Sequence, residues 1–476
     1  MDVLVIALLV FLLGFMFIRG TLRKNKIMAL VLTGIVFVLA FERVEGSWLS
    51  IPALASLTRL NLNSIIERIW YAVPFGIIGI VSWGLWGIRW LIARTYEPLV
   101  NDYRTTTSVV IPSFREDADV LVRCLETWLS ENPTEIILIP DLEDVEVIER
   151  VAAIAALDDR IRLIPFKHNG KRSALAVGIR AARYEIVVLA DSDTAWEPNL
   201  LAAVQMPFVD PTVGGVGTRQ NAVNRESSKW RVIADWMMSV RYLDYVPVES
   251  IFGGVACLSG RTAAYRRSVI LPVVDQLEYE YFLGRQCIAG DDGRLTWLTL
   301  ASGYKTVYQS NARAWSMFPN QGKAFLKQRI RWSRNSYRCY LTAIWNGWLW
   351  DQPFVTKVRV FQILLTPLSM AFALFYLGMA LYQQDWPLVA FSIVWIIIGR
   401  GIRSISHLRE HPEDFYLLPL YALIVIIIAE PVKLWAAISM NKQGWLTRAA
   451  HIMGSEGQSE ASLHTGSELT SPPVMS

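Results

Sequence analysis

Glu185-Ile-Val-Val-Leu-Ala-Asp-Ser-Asp193 sets five apolar residues in a row and closes them with two carboxylates at i and i+2. A short apolar run rich in β-branched residues reads as a strand buried on both faces, the kind found in parallel sheets. The preceding residues repeat the theme. Ser108–Pro112 (SVVIP), Glu135–Pro140 (EIILIP) and Ile161–Phe166 read as strands, separated by helical patterns at Asp117–Ser130, Val145–Leu157 and Lys171–Arg183. Such alternation builds βαβ units with right-handed crossovers, and their ligands bind beyond the carboxyl ends of the strands. Those ends read Arg115-Glu116, Asp141, Lys167 and Asp191-Ser192-Asp193. This mixture of acids and bases suits a ligand with sugar hydroxyls, a diphosphate and a divalent cation. It fits a dinucleotide poorly, because no Gly-x-Gly-x-x-Gly follows any of the strands.

Asp191 and Asp193 together can reach one hard cation, Mg²⁺ or Mn²⁺, whose remaining ligands would be oxygens of substrate phosphate. An acidic turn before a helix gives the same spacing, and Trp196-Glu197-Pro198 is read as opening that helix. Lys171-Arg172, after Asn169-Gly170, stands at a helix start, where backbone N–H groups and two cations could hold phosphate. A solvated basic helix end is the plainer reading of that pair. Three clusters come later in the chain: Cys257-Leu258-Ser259-Gly260-Arg261, Gly290-Asp291-Asp292-Gly293 opening a helical run, and Gln328-Arg329-Ile330-Arg331-Trp332 within the basic, aromatic Lys323–Tyr340. Gln328, Arg331 and Trp332 fall on one helical face. Arginine can neutralise a diphosphate bidentately, and tryptophan can stack on the apolar face of a sugar ring. A basic amphipathic helix on anionic lipid explains the whole stretch but not this face.

Of the 476 residues, 53% are hydrophobic and 18% charged, which excludes general disorder and argues against an ordinary soluble enzyme. The balance of 46 basic and 42 acidic residues, +4, excludes a nucleic-acid binder. No two of the four cysteines (Cys124, Cys257, Cys287, Cys339) have CxxC spacing, so reduced thiols are expected rather than a disulfide scaffold or zinc module.

Uncharged stretches run Val3–Ile18, Ile27–Phe41, Ile69–Ile88, Val360–Gln384, Trp386–Gly399 and Phe415–Ala429. A spanning helix needs about 20 apolar residues. Reaching that length at the last stretch takes in Glu430 and Lys433, which could pair on one face. The first stretch has Asp2 before it and Arg19, Arg23, Lys24 and Lys26 after it, the mark of an uncleaved span that begins outside. About six spans result, three before and three after a cytoplasmic domain, with Lys442 and Arg448 outside. The division is membrane helices at 1–98, the α/β domain at 99–320, amphipathic interface helices at 321–355, membrane helices at 356–440 and a tail at 441–476. That tail, Ser-, Glu- and Pro-rich from Gly454, is expected to be disordered.

The order Asp141, Asp191-x-Asp193, Gly290-Asp291-Asp292 and Gln328-x-x-Arg331-Trp332 resembles the membrane-embedded processive family 2 glycosyltransferases, especially hyaluronan synthases and chitin-oligosaccharide synthases. The resemblance covers roughly residues 105–345. It implies a GT-A fold, a UDP-sugar donor, Mg²⁺ or Mn²⁺ and a growing polysaccharide as acceptor. By position it implies that Glu116, Asp141, Lys171, Asp191, Gln328 and Arg331 bind the donor. Asp193 would ligate the metal, with Asp191 beside it. Asp292 would be the general base, next to Asp291, while Ser259, Gly260 and Trp332 line the acceptor site. Two positions depart from the pattern: Arg261 stands where the family's Ser-Gly-Pro has Pro, and Gly293 where hyaluronan synthases usually have Arg.

The expected chemistry is a single inverting displacement that joins β-linked sugars and passes the chain through the membrane helices. Two alternatives are a non-processive transferase adding one sugar to a lipid-linked acceptor, and a transport or scaffold protein that binds nucleotide sugar without turnover.

Overall fold

The computed structural model describes residues 76–442 apart from His168. The expected spans Val3–Ile18 and Ile27–Phe41, the start of Ile69–Ile88 and residues 443–476 lie outside it. The chain divides into two compact units, Met1–Leu85 and Trp86–Ser476. Of the first, only the beginning of helix α1 (Gly76–Ala93) is described. The second holds the α/β domain and the helices that come after it.

The first half of the α/β domain forms as its sequence pattern requires. Strand β1 (Thr107–Ser113) leads to α2 (Ala118–Ser130), β2 (Glu135–Pro140), α3 (Val145–Ala155), β3 (Ile161–Leu163), α4 (Lys171–Ala181) and β4 (Ile186–Ala190). Asp117 caps α2, its carboxylate accepting from the N–H groups of Asp119 and Val120. Strands β1, β2 and β4 are buried along their whole length. Alternate residues face opposite layers. Val110, Ile137 and Val187 pack with α4, whereas Val109, Ile136 and Val188 pack with α2 and α3. Helix α4 lies so close to the sheet at Gly178 that a Cβ there would meet Val110 Cγ1 at 2.3 Å.

The second half completes an eight-stranded sheet with β5 (Thr194–Trp196), α5 (Leu200–Gln205), β6 (Val213–Ala222), α6 (Lys229–Val240), β7 (Thr262–Arg266), α7 (Asp291–Ala301) and β8 (Lys305–Ser316). The strand order is β3-β2-β1-β4-β7-β6-β8-β5. The pairs of β1 with β2 and β4, β2 with β3, and β6 with β8 are parallel, while β7 runs against both of its neighbours. One expectation fails here. Trp196 does not open a helix but ends β5, which pairs antiparallel with β8, and α5 begins only at Leu200. The reason is burial: the Trp196 indole N–H donates to Thr262 Oγ1 at 3.0 Å and its ring meets that of Trp128 edge-on. An extended backbone is what delivers both contacts.

Beyond the sheet come α8 (Gly322–Trp345), α9 (Phe354–Tyr382), α10 (Trp386–Arg403) and a helical run over Pro412–Ile438. By length and composition α10 and Pro412–Ile438 could cross a membrane. Their surroundings differ. The most apolar window of α10 is 6% buried within the protein, and that of Pro412–Ile438 is 47% buried. The run is fastened to the α/β domain at both ends. At its start Arg225 pairs with Asp414, Arg219 with Glu410 at 2.5 Å, and Trp236 stacks on His407 and Tyr421. At its end Arg334 donates to Ser439 Oγ and Arg338 to the Met440 carbonyl. These contacts hold both ends of the run on the domain, whereas the expected sixth crossing would put Lys442 on the far side. The expected Glu430–Lys433 pair depends on a side chain outside those described.

Candidate active site

The end of β4 and the start of α7 meet at Lys171. Its Nζ lies 2.7 Å from Asp191 Oδ1 at the end of β4 and 2.9 Å from Asp291 Oδ2 at the start of α7. Asp191 and Asp291, 100 positions apart, are thus joined through one ammonium. Burial works against the charge on Lys171, but Asp191 and Asp291 overcome it and hold its pKa above the usual ammonium range. Gly260 lies against the same group: a Cβ there would stand 3.2 Å from Asp291 Oδ2, 3.3 Å from Asp292 Cβ and 3.3 Å from Lys171 Nζ. The Ser259-Gly260 loop therefore touches the acids it was expected to accompany. On the other flank Ser192 Oγ donates to Glu116 Oε2 at 2.8 Å, which ties the end of β1 to the Asp-x-Asp turn.

The acids share more negative charge than Lys171 cancels. Burial raises the pKa of Asp191, and Asp193 and Asp291 raise it further against the pull of Lys171. Burial likewise raises Asp292, with Asp291 adding to it, while the Gly293 N–H, Lys171 and Arg241 oppose the rise. The Gly293 N–H donates to Asp292 Oδ1 at 2.8 Å, and the Cys257 thiol reaches Asp292 Oδ2 at 3.8 Å. Burial and the Asp292 charge push that thiol up to about 12, so it stays protonated. Sequence reasoning missed Cys257 as a neighbour of the expected base. Its place within Cys257-Leu258-Ser259-Gly260-Arg261 was the available signal.

Helix α8 lies across the Asp-Asp loop. Gly290 has φ +78°, and a Cβ there would meet Asn335 Cγ at 2.9 Å, while one on Gly293 would meet Cys339 Sγ at 3.0 Å. Gly293 is thus held small by α8 at the position where the resembling enzymes carry arginine. Asn335 and Cys339 come after Trp332 at i+3 and i+7, one face of the helix. The Trp332 ring is reached by Arg261, whose Cζ lies 5.2 Å from its centroid, and the charges of Asp193, Asp191 and Arg331 all act on Arg261. Gln328 Oε1 is buried without a hydrogen-bond partner among the described residues.

Some expected ligands stand elsewhere. Arg172 does not point toward a phosphate. Its guanidinium is buried against Glu280 at 2.5 Å and donates to the Gly290 carbonyl at 3.0 Å, bracing the Asp-Asp loop from behind. Arg294 joins the same bracket, 3.0 Å from Glu280 and stacked over Trp348. Lys167 is exposed. Asp141 is buried at the end of β2, where its Oδ1 accepts from the Glu143 N–H at 3.0 Å.

Residues 104–335 match a family model described as glycosyltransferase like family 2. The chain is 28% identical over 387 residues to a hyaluronan synthase of Streptococcus pyogenes, covering 78% of this chain and 90% of that protein. It is 27% identical over 351 residues to an N-acetylglucosaminyltransferase of Azorhizobium caulinodans, covering 71% and 86%. Among solved structures, the mannosyltransferase PcManGT from Pyrobaculum calidifontis, in complex with GDP-Man and Mn²⁺, superposes with a TM-score of 0.51 at 18% identity, covering 73% of this chain and 96% of that one. The sheet is that of a GT-A fold, and residues 104–335 form a family 2 glycosyltransferase domain.

Proposed function

We propose that the protein is a processive, inverting polysaccharide synthase that transfers sugar from a UDP-sugar to the end of a growing chain. The observation that carries this reading is the junction at Lys171, where Asp191 and Asp291 lie within 2.9 Å of one ammonium and the Ser-Gly loop comes so near that a Cβ on Gly260 would stand 3.3 Å from it. The likeness to a hyaluronan synthase and an N-acetylglucosaminyltransferase over most of their length supports it.

In this reading Asp292 takes the proton from the acceptor hydroxyl as that oxygen attacks the anomeric carbon. Burial beside Asp291 makes Asp292 a stronger base than an ordinary carboxylate, and such assistance is worth about 10²–10⁴-fold. Lys171 and Arg331 meet the charge that develops on the departing diphosphate. Asp141 and Glu116 contact the nucleoside, and Trp332 stacks on the accepting sugar. One displacement inverts the anomeric centre, so an α-linked donor yields a β-linked product.

Asp193 and Asp191 would hold the divalent cation. Among the described residues no group of three or more His, Cys, Asp or Glu side chains could hold a metal alone. Two carboxylates whose mutual repulsion already raises Asp191 fit a hard cation that takes its other ligands from substrate phosphate, as Mg²⁺ and Mn²⁺ do. When bound, the ion supplies Lewis-acid neutralisation of the diphosphate. Helices α9 and α10 cross the membrane and return, keeping the α/β domain cytoplasmic, and the chain leaves beside them.

The test is to give the purified protein in lipid a panel of labelled UDP-sugars with Mn²⁺ or Mg²⁺ and size the products. Long β-linked chains that appear before the donor is exhausted are expected. Products of one added sugar on lipid would favour the non-processive alternative, and the absence of any transfer would end the proposal.

A further inference from the structure

Helix α6 does not stop at Val240. It continues through a π-helical turn, Arg241–Tyr245, into the short helix Val246–Ile251. Turns of this kind are rare and recur at functional sites. The first residue of this one, Arg241, donates from Nη2 to the Cys257 carbonyl at 2.8 Å. The groups on either side of that carbonyl are held as well. The Ala256 N–H donates to Glu249 Oε2 at 2.9 Å, and the Leu258 N–H donates to Thr296 Oγ1 at 3.0 Å. Thr296 in turn donates to the Asp292 carbonyl at 2.7 Å, and the Cys257 thiol reaches Asp292 Oδ2 at 3.8 Å. Cys257 therefore has Arg241 on its carbonyl and Asp292 on its thiol, two residues ahead of Ser259.

Of the three side chains that pin this stretch, Arg241 alone is a cation. Glu249 is engaged by Arg359, whose Nε lies 3.4 Å from its Oε1, and Thr296 is neutral. Asp292 needs a cation near it. Burial and Asp291 raise its pKa, and the Gly293 N–H, Lys171 and Arg241 oppose the rise. Lys171 is already shared by Asp191 and Asp291. The thiols of Cys257 and of Cys339 on α8, and the phenol of Tyr265 on β7, also interact with Asp292. Burial raises all three, so they stay neutral and bring no charge. A guanidinium stays charged at any working pH and can hold a carbonyl with one N–H while its others remain free.

We propose that Arg241 is a positioning residue for sugar transfer: it fixes the Cys257 carbonyl so that the Ser259-Gly260 loop stays against Asp292, and it brings a second cation, beside Lys171, to that base. The inference rests on the reading of Asp292 as the general base. It gives the π-helical turn a purpose, since the turn carries the one residue that reaches both the loop and the charge of the base.

The test uses the full-length protein in lipid with the UDP-sugar panel and Mn²⁺, and compares the parent with Arg241→Gln and Arg241→Lys. The amide keeps donors for a carbonyl and loses the charge, whereas the ammonium keeps the charge. Transfer is followed against pH, donor KM and UDP affinity are measured at neutral pH, and the thermal midpoint is recorded for each. In Arg241→Gln the acid limb of kcat is expected to move up by about one pH unit, the low end of what one opposite charge does. Below the limb the rate then falls about tenfold against the parent, while KM and UDP affinity stay as they are. Arg241→Lys should return the limb to the parent's position. A limb that Arg241→Gln leaves in place overturns the proposal and keeps Asp292 as the base, and a lowered thermal midpoint with an unmoved limb would make Arg241 a strut only. A loss of UDP affinity as large as the loss of rate would also overturn it. A parent limb near pH 4 that neither variant moves would remove Asp292 as the base, and the inference with it.

Discussion

Lys171 and Arg172 are neighbours in the chain, and each is a buried cation held by acids, yet their surroundings are built on opposite principles. Arg172 meets Glu280 and a backbone carbonyl, and Arg294 closes the other side of the same carboxylate. Lys171 meets Asp191 and Asp291, with Asp193 and Asp292 close enough to raise their neighbours' pKa values. The first cluster sets two guanidinium groups on one carboxylate and braces a loop. The second sets four acids around one ammonium, with Arg241 and Arg261 acting on them from further off. The cation-rich cluster serves the fold, and the acid-rich cluster marks the site.

The largest effect should come from breaking the bracket. Arg172→Met leaves Glu280 to Arg294 alone and the Gly290 carbonyl without that donor, and is expected to lower unfolding stability by about 3 kcal/mol, measured as a shifted denaturation midpoint. Lys171→Met should do the opposite in kind: transfer falls about 10²–10³-fold, with a smaller change in stability. Equal losses of stability in the two variants would erase the contrast. The pH profile of transfer sharpens it next. Asp292 must be ionised to act, and its pKa is raised, so the rate should fall about tenfold per pH unit below that pKa. The acid limb should therefore lie above the ordinary carboxylate range, and a limb near pH 4 would contradict the burial effect. Gly260→Ala places a methyl 3.2–3.3 Å from Asp291, Asp292 and Lys171. It should lower kcat about tenfold, less than the 10²-fold of a 1 Å misplacement. Least affected should be Glu410→Gln. Its partly exposed pair with Arg219 is worth at most about 1 kcal/mol, read from the thermal midpoint.

Much of the fold was legible in the sequence, though the contrast between Lys171 and Arg172 was not. The runs at 108–112, 135–140 and 185–190 became strands because β-branched apolar residues admit little else. The Asp-x-Asp, Gly-Asp-Asp and Ser-Gly elements came together because the first ends β4, the second starts α7 and the third leads into β7, which runs antiparallel to β4. The features that stayed hidden depended on partners far away in the chain. Nothing near Arg172 announces Glu280, and nothing near Trp196 announces Thr262. The run Pro412–Ile438 is the clearest case. Its hydropathy of 2.2 exceeds the 1.4 of α10, yet it is the more buried in protein. Apolar composition reports a need to leave water and does not say whether lipid or protein replaces it. Nor does it announce that Arg219, Arg225, Arg334 and Arg338 fasten the chain at the ends of this run to the domain.

The central claim is that Asp292 does the chemistry inside the charge cluster around Lys171, and Asp292→Asn tests it most directly. Sugar transfer and UDP affinity are measured on the same lipid-embedded preparation. The account predicts transfer reduced about 10²–10⁴-fold with UDP affinity unchanged. It also predicts stability at neutral pH no lower than the parent's, because a carboxyl whose pKa folding raises makes the folded state less stable as pH climbs from the unfolded pKa to the folded one, and the amide lacks that burden. Transfer by Asp292→Asn at close to the parent rate would contradict it.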